Sequence, residues 1–332
     1  MNEETTIINT SNNQLTCAIN RTLEAAGIEV PSGWVYDNGA VIEFTGLGET
    51  CHVEMVHPNE VSDPERFVSL EKFNETFKGE LAIPLPLGKK KFVVRHGHAG
   101  HNDPKATLEQ AHDASLTAKG RDQAKQCGLA ILKRTQGNLP NLKVEFSDLL
   151  RTMETAETLL QQFPEEVRVK KGLVRIEARE NNRPIRGTHY WKKGDPMQEF
   201  AIDPFASLDK LLLLAPGKTN DELRRMQIEN RPKNDPIDNP DGCIQKIGEL
   251  TIDWSVYIEK LEKAYAQGKT FGQAASERTL FDIIFEIDEP ILSTSDGSSS
   301  EDDFIESCVD LLFSIHNRDG PETFGEYKPR TH

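Results

Sequence analysis

The sequence lacks the marks of several protein classes. Its five cysteines (Cys17, Cys51, Cys127, Cys243 and Cys308) are odd in number, scattered, and contain no Cys-x-x-Cys pair. That argues against a disulfide framework or a thiolate zinc site and fits a reducing compartment. No apolar run is long enough to span a bilayer. The opening residues Met1-Asn2-Glu3-Glu4 have neither the basic nor the apolar region of a signal peptide. A soluble cytoplasmic protein is the expectation. Positive charge is also scarce: 39 Lys and Arg against 54 Asp and Glu give a formal charge of −15. So acidic a chain is a poor general binder of nucleic acid or anionic membrane, so neither is an expected partner. There is no internal repeat. With 332 residues the chain can bury a sizeable core without staples, as one large domain or two ordinary ones.

What is present centres on Phe92-Val93-Val94-Arg95-His96-Gly97, preceded by Lys89, Lys90 and Lys91. The apolar, mostly β-branched triplet suits a buried strand. Arg95 and His96 fall where that strand should end, and Gly97 permits a sharp turn or close backbone approach. The carboxyl rim of an α/β sheet is where ligands bind. A core strand that merely ends in a surface arginine and histidine fits the tripeptide equally well.

Along the chain, residues 1–88 read as a separate N-terminal α+β unit of unassigned role, a possible surface for a protein partner. It holds a helix over Leu15–Ala26, with Asn12 or Asn13 as cap and Gly27 as stop. A β-hairpin follows, from Trp34–Tyr36 through Asp37-Asn38-Gly39 to Ala40–Phe44, then a strand over Cys51–Val56. From residue 89 the order is strand, helix, strand, helix, strand: Phe92–Val94, a helix ending near Lys133, Val144–Ser147, Asp148–Gln162 and Val167–Ile176. That pattern predicts an α/β three-layer sandwich with a mostly parallel sheet. Prolines interrupt residues 178–242, read as an insertion or lid. Helices are expected over Trp254–Ala266 and Ala274–Ile287, with a Ser/Asp-rich linker at 293–303.

Three segments carry a resemblance. Arg95-His96-Gly97 is followed by Asn102. Leu116-Thr117-x-x-Gly120-x-x-Gln123-Ala124 opens the next helix. Ser147-Asp148-Leu149-x-Arg151-x-x-x-Thr155-Ala156-Glu157 spans a strand-to-helix junction. In this order they resemble the histidine phosphatase superfamily, the phosphoglycerate-mutase-like proteins, over about residues 92–177. The resemblance implies a phosphohistidine on His96, with phosphate bound by Arg95, Arg151 and Asn102. The chemistry of the side chains agrees. Phosphoryl transfer needs positioning and positive charge around three equatorial oxygens, and guanidinium forks match that geometry. A neutral imidazole can attack in line, and no metal or cofactor is called for.

The leaving oxygen needs a proton. The resemblance assigns that role to Glu177, with Glu180 in reserve. It also implies a second histidine late in the chain. His316, after Leu311–Ile315, is the candidate, ahead of His189 and His332. If Leu311–Ile315 were a strand beside Phe92–Val94, His316 would reach the rim that holds His96; the same residues also fit a helix. The implied activity is phosphomonoester hydrolysis on a phosphorylated small molecule or phosphoprotein. Mutase activity is disfavoured because the family's mutases usually have Glu at the His98 position. A contrasting reading makes the domain a degenerate phosphatase kept as a binding or structural module. A further rival, from His96-x-His98-x-x-His101, is a metallo-β-lactamase-like zinc site, but Gly100 stands where that motif wants Asp. The cations from Arg168 to Lys193 could steer an anionic substrate.

Overall fold

The computed structural model describes residues 3–102, 114–175, 244–254, 256–257, 263, 267 and 278–287. By contacts the chain forms two units, residues 1–30 with 34–288 and residues 31–33 with 289–332; every element below belongs to the first. The elements, in chain order, are β1 (Glu4–Thr10), α1 (Asn12–Ala25), β2 (Val41–Gly46), β3 (Cys51–His57), α2 (Leu70–Thr76), β4 (Glu80–Leu81) and β5 (Lys89–Arg95). Then come α3 (Ala118–Thr135), β6 (Lys143–Ser147), α4 (Leu150–Leu160), β7 (Lys171–Arg175), β8 (Ile244–Ile247), β9 (Leu250–Asp253) and α5 (Leu280–Ile284).

Among the described residues nine strands form one mixed sheet in the order β4-β3-β2-β5-β1-β6-β7-β9-β8. Parallel pairing joins β5, β1, β6, β7 and β9. Antiparallel pairs close the two sides. The period-2 alternation of a strand sends neighbouring side chains to opposite faces. Ile7, Phe92, Val94, Val144 and Phe146 therefore pack with Cys127 and Ile131 of α3 and with Met153, Ala156 and Leu159 of α4. Ile8, Val93, Ile42 and Phe44 face the other way, onto Leu15, Ile19 and Leu23 of α1, Phe73 of α2 and Leu280 and Ile284 of α5. Helices thus cover both faces, the usual condition for parallel strands.

The boundary expected at residue 88 is not a boundary. β1 lies between β5 and β6, pairing with β5 from Glu4↔Lys89 to Thr10↔Arg95 and with β6 from Thr6↔Lys143 to Asn9↔Phe146. Glu4 N–H donates to Gly88 O, and the Glu4 carboxylate pairs with Lys89 and Lys143. Residues 1–88 also supply the strands β2, β3 and β4. The N-terminal segment is therefore an integral half of the sheet.

Other differences are local. Trp34–Tyr36 is not a strand, so the expected hairpin is absent. Asp37-Asn38-Gly39 does turn the chain, with Gly39 at φ 81° and Ala40 N–H on Asp37 O, but β2 pairs with β3 and β5 instead. Helix α1 starts at Asn12 after Ser11, earlier than its apolar spacing indicates. The third expected strand is shortened to Lys171–Arg175 by a single 3-10 turn at Glu165–Val167. Helix α5 starts at Leu280, because Thr279 and Asp282 form a reciprocal capping box. The insertion, the Ser/Asp-rich linker, Glu177, Glu180, His189, His316 and His332 lie outside the described residues. Among the described residues no helix is long and apolar enough to cross a membrane.

The topology makes a prediction. Expressed from residue 89 onward, the chain loses both neighbours of β5 and should show no cooperative thermal melt. In the full chain, Ile8→Ala should cost about 2–5 kcal/mol, the usual loss for a fully buried large-to-small change, measured by urea titration. A fragment 89–332 that melts cooperatively would contradict the assignment.

Candidate functional site

The site forms where β5 runs out. His96 N–H donates to Thr10 O of β1 at 3.1 Å, and Arg95 N–H donates to Ala40 O at 2.9 Å. The strand end is thus clamped from both sides. Arg95 is 7 % exposed and His96 2 %.

The three segments that carry the resemblance are bonded to one another. Gly97 N–H donates to Thr155 Oγ1 at 3.1 Å, joining the β5 end to α4. Thr117 N–H donates to His98 O at 3.0 Å, joining the start of α3 to the same loop. Leu116 N–H donates to Glu154 Oε2 at 2.6 Å, joining the α3 entry to α4. Thr117 also caps α3 by accepting from Gly120 N–H. The two glycines have a shared reason. A Cβ on Gly97 would be driven into the Gly120 carbonyl, and one on Gly120 into the His98 carbonyl. Only bare backbone allows the loop to lie this close to the helix.

Within this frame the imidazole of His96 is fixed at both nitrogens. Nδ1 lies 2.8 Å from Gly97 O, and Arg151 Nε–H donates to Nε2 at 3.1 Å. A carbonyl can only accept, so Nδ1 carries the proton and Nε2 presents its lone pair. Burial, and then the charges of Arg151 and Arg95, push His96 well below its ordinary value. The neutral ring is therefore favoured, with the Nε2 lone pair turned towards Arg151. Arg151, 2 % exposed, reaches it from the first turn of α4. The hydroxyls of Thr152 and Thr155 in that helix bond back to Ser147 O and Arg151 O.

Arg95 points to the other face, where its Nη1 donates to Tyr36 O. Its Nε is buried and has no hydrogen-bond partner. Burial lowers the guanidinium to about 10 against the pull of Asp37, so it remains charged at neutral pH. Asp37 itself accepts Asn38 N–H at 2.7 Å and Ser62 N–H at 2.6 Å. Asn38 Nδ2 donates to His96 O at 3.1 Å. The Asp37-Asn38-Gly39 turn is thus a brace for the strand end, which its hairpin-like sequence did not reveal.

The structure brings Arg95, His96 and Arg151 to one rim. Asn102 closes the loop after them, its Oδ1 accepting Ala99 N–H at 2.9 Å. His98 lies against α3, with Nδ1 3.0 Å from Thr117 Oγ1, while the rings of His96 and His101 meet edge-on with centroids 5.3 Å apart. Among the described residues no group of three or more His, Cys, Asp or Glu side chains could hold a metal ion.

The position expected for the late strand is taken. β5 is hydrogen-bonded on one side to β1 and on the other to β2. The residue at the rim beside Arg95 is Thr10, in register with it. Both edges of β5 are thus occupied by β1 and β2, and His316 itself lies outside the described residues.

The His96 environment has a pH signature. Where the folded pKa lies below the unfolded one, the unfolded chain binds the extra proton between the two values, so stability falls with falling pH in that window. The wild-type melting temperature should drop as pH falls below about 6.5, the ordinary histidine value. His96→Gln should flatten the His96 share of that drop in a pH series. An unchanged slope would place the titration elsewhere.

Comparison with known proteins agrees with the resemblance. No curated protein and no solved structure matches the chain. The family model of the histidine phosphatase superfamily (branch 1) matches residues 92–180, the segment in which the three motifs lie.

Proposed function

We propose that this protein hydrolyses phosphomonoesters through a phosphohistidine on His96, within a three-layer histidine-phosphatase-like fold. One observation carries the reading. A buried neutral imidazole has its Nδ1–H held by a carbonyl and its Nε2 within hydrogen-bond distance of a buried guanidinium. That is the arrangement a nitrogen nucleophile needs: the tautomer is fixed, and positive charge waits where the phosphoryl group would arrive.

In the proposed reaction the Nε2 lone pair attacks phosphorus in line, and the ester P–O bond breaks. The leaving oxygen takes a proton from a carboxylic acid, the role assigned to Glu177 with Glu180 in reserve. The resulting carboxylate then takes a proton from water as that water attacks the phosphohistidine and the P–N bond breaks, which restores Nε2 and the acid and releases inorganic phosphate. Arg95 and Arg151 hold the equatorial oxygens, and Asn102 orders the loop beside them as a further phosphate-pocket residue. The substrate is a phosphorylated small molecule or phosphoprotein, and the setting is the cytoplasm. A donor carboxylate, two arginines and one histidine suffice without a metal.

A second reading has its own support. Thr10, not an imidazole, stands beside Arg95 at the rim. A rim with a threonine at that position can bind an oxyanion without turning it over, as a binding module would.

Hydrolysis of p-nitrophenyl phosphate by the full chain, dialysed against a chelator, separates the two. Metal-free turnover is expected, falling to background in His96→Ala and by roughly 10²–10³ in Arg151→Ala. Turnover restored only by added zinc would refute the phosphohistidine route. No turnover, with phosphate still raising the melting temperature by mass action, would select the binding module.

A further inference from the structure

The strand between the two that carry the reading has been left without a role in it. β1 runs between β5, which ends in His96, and β6, which leads to Arg151. Its carboxyl end is therefore the middle of the rim. In register, Asn9 stands opposite Val94 on one side and Phe146 on the other. Matched residues of parallel neighbours share a face, and Val94 and Phe146 face α3 and α4. Asn9 therefore lies under the first turns of α4, the turns that carry Arg151, Thr152 and Thr155. His96 follows Val94 by two residues, on the same face of β5.

Asn9 has no exposed surface, and neither its Nδ2 nor its Oδ1 has a hydrogen-bond partner. At the start of α4 the hydroxyls already have partners: Ser147 and Thr152 share a hydrogen bond, and Thr155 donates to Arg151 O and accepts from Gly97 N–H. An unpaired carboxamide in a buried layer opposes folding, and an apolar side chain of the same branching, such as leucine, would leave no polar group unpaired. Packing does not explain an asparagine at this position. A ligand that supplies the missing acceptor does.

We propose that Asn9 is a binding residue for the phosphoryl group. Its Nδ2–H donates to an equatorial oxygen from the side between His96 and Arg151, adding a third donor to the two guanidiniums. Loss of this donor weakens the hold on the oxyanion without harming the fold. The assignment rests on the reading of His96 and Arg151 as an oxyanion site.

The test is a thermal titration of the full chain with inorganic phosphate in chelator-treated buffer, for the wild type, Asn9→Leu, Asn9→Ala and Arg151→Ala. Without phosphate, Asn9→Leu should melt at or above the wild type, because an unpaired polar group has been removed. Its phosphate affinity should fall about tenfold to a hundredfold, the range for losing one hydrogen bond to a charged group. If Asn9→Leu does not fold, Asn9→Ala is read for the same loss of affinity. A wild-type phosphate response in the Asn9 variants, with the response lost in Arg151→Ala, overturns the role of Asn9 alone. An Asn9→Leu protein that melts well below the wild type and still binds phosphate makes Asn9 a structural residue. No response in the wild type, or an unchanged one in Arg151→Ala, removes the oxyanion site and this assignment with it.

Discussion

Everything at the rim depends on β1 being held between β5 and β6. Parallel strands need both faces covered and both edges paired, and β1 meets these conditions with a sequence that is mostly threonine and isoleucine. Ile7 and Ile8 bind the two cores to one strand, one on each face. The pairing uses both edges of β1 and one edge of β5; β2 uses the other. Which residues meet at the carboxyl rim follows directly. Thr10, Arg95 and the β6–α4 junction become neighbours although they are far apart in sequence.

Burial of a cation is costly unless an anion compensates, and two guanidiniums are buried at the end of β5, Arg151 against His96 and Arg95 on the opposite face. Asp37 offsets part of the cost for Arg95 by its charge, while its own oxygens are engaged by Asn38 and Ser62 N–H groups. The low pKa of His96 follows from burial first, and then from Arg151 and Arg95, which would oppose a third positive charge. The neutral state of the ring is thus the one that the surroundings enforce.

Much of this was legible in the sequence, and the rest was hidden for physical reasons. The strand at Phe92–Val94 was readable because three adjacent apolar residues end in a charged pair. The start of α3 was readable from Leu116-Thr117-x-x-Gly120, though its cap by Thr117 was not read. Arg151 was readable from the residues around it. β1 was not, because Glu4-Thr5-Thr6 and Asn9-Thr10 look polar, and only the β-branched run signals that they are buried. The supposed boundary at residue 88 followed from that omission: without β1, nothing tied the first residues to the sheet. Asp37-Asn38-Gly39 was read as a hairpin turn because Asn-Gly is a strong local signal. The tertiary demand of the β5 end overrode it. β8 and β9 escaped because Ile244–Asp253 is short and its turn, Gly248-Glu249, sits among prolines and charges.

The threonine beside Arg95 bears on whether a site of this kind can turn over. In the proposed site a phosphoryl dianion would be balanced in charge by the guanidiniums of Arg95 and Arg151. In a loose transition state the charge stays on the equatorial oxygens while bonds to the entering and leaving atoms are long. What is then needed from a third side is orientation more than additional charge. A neutral donor can give orientation, and β1 places Asn9 on the face that carries Val94 and His96. In the proposed site that donor would hold the group in line with His96 Nε2, and on that ground the hydrolytic reading is preferred to binding alone.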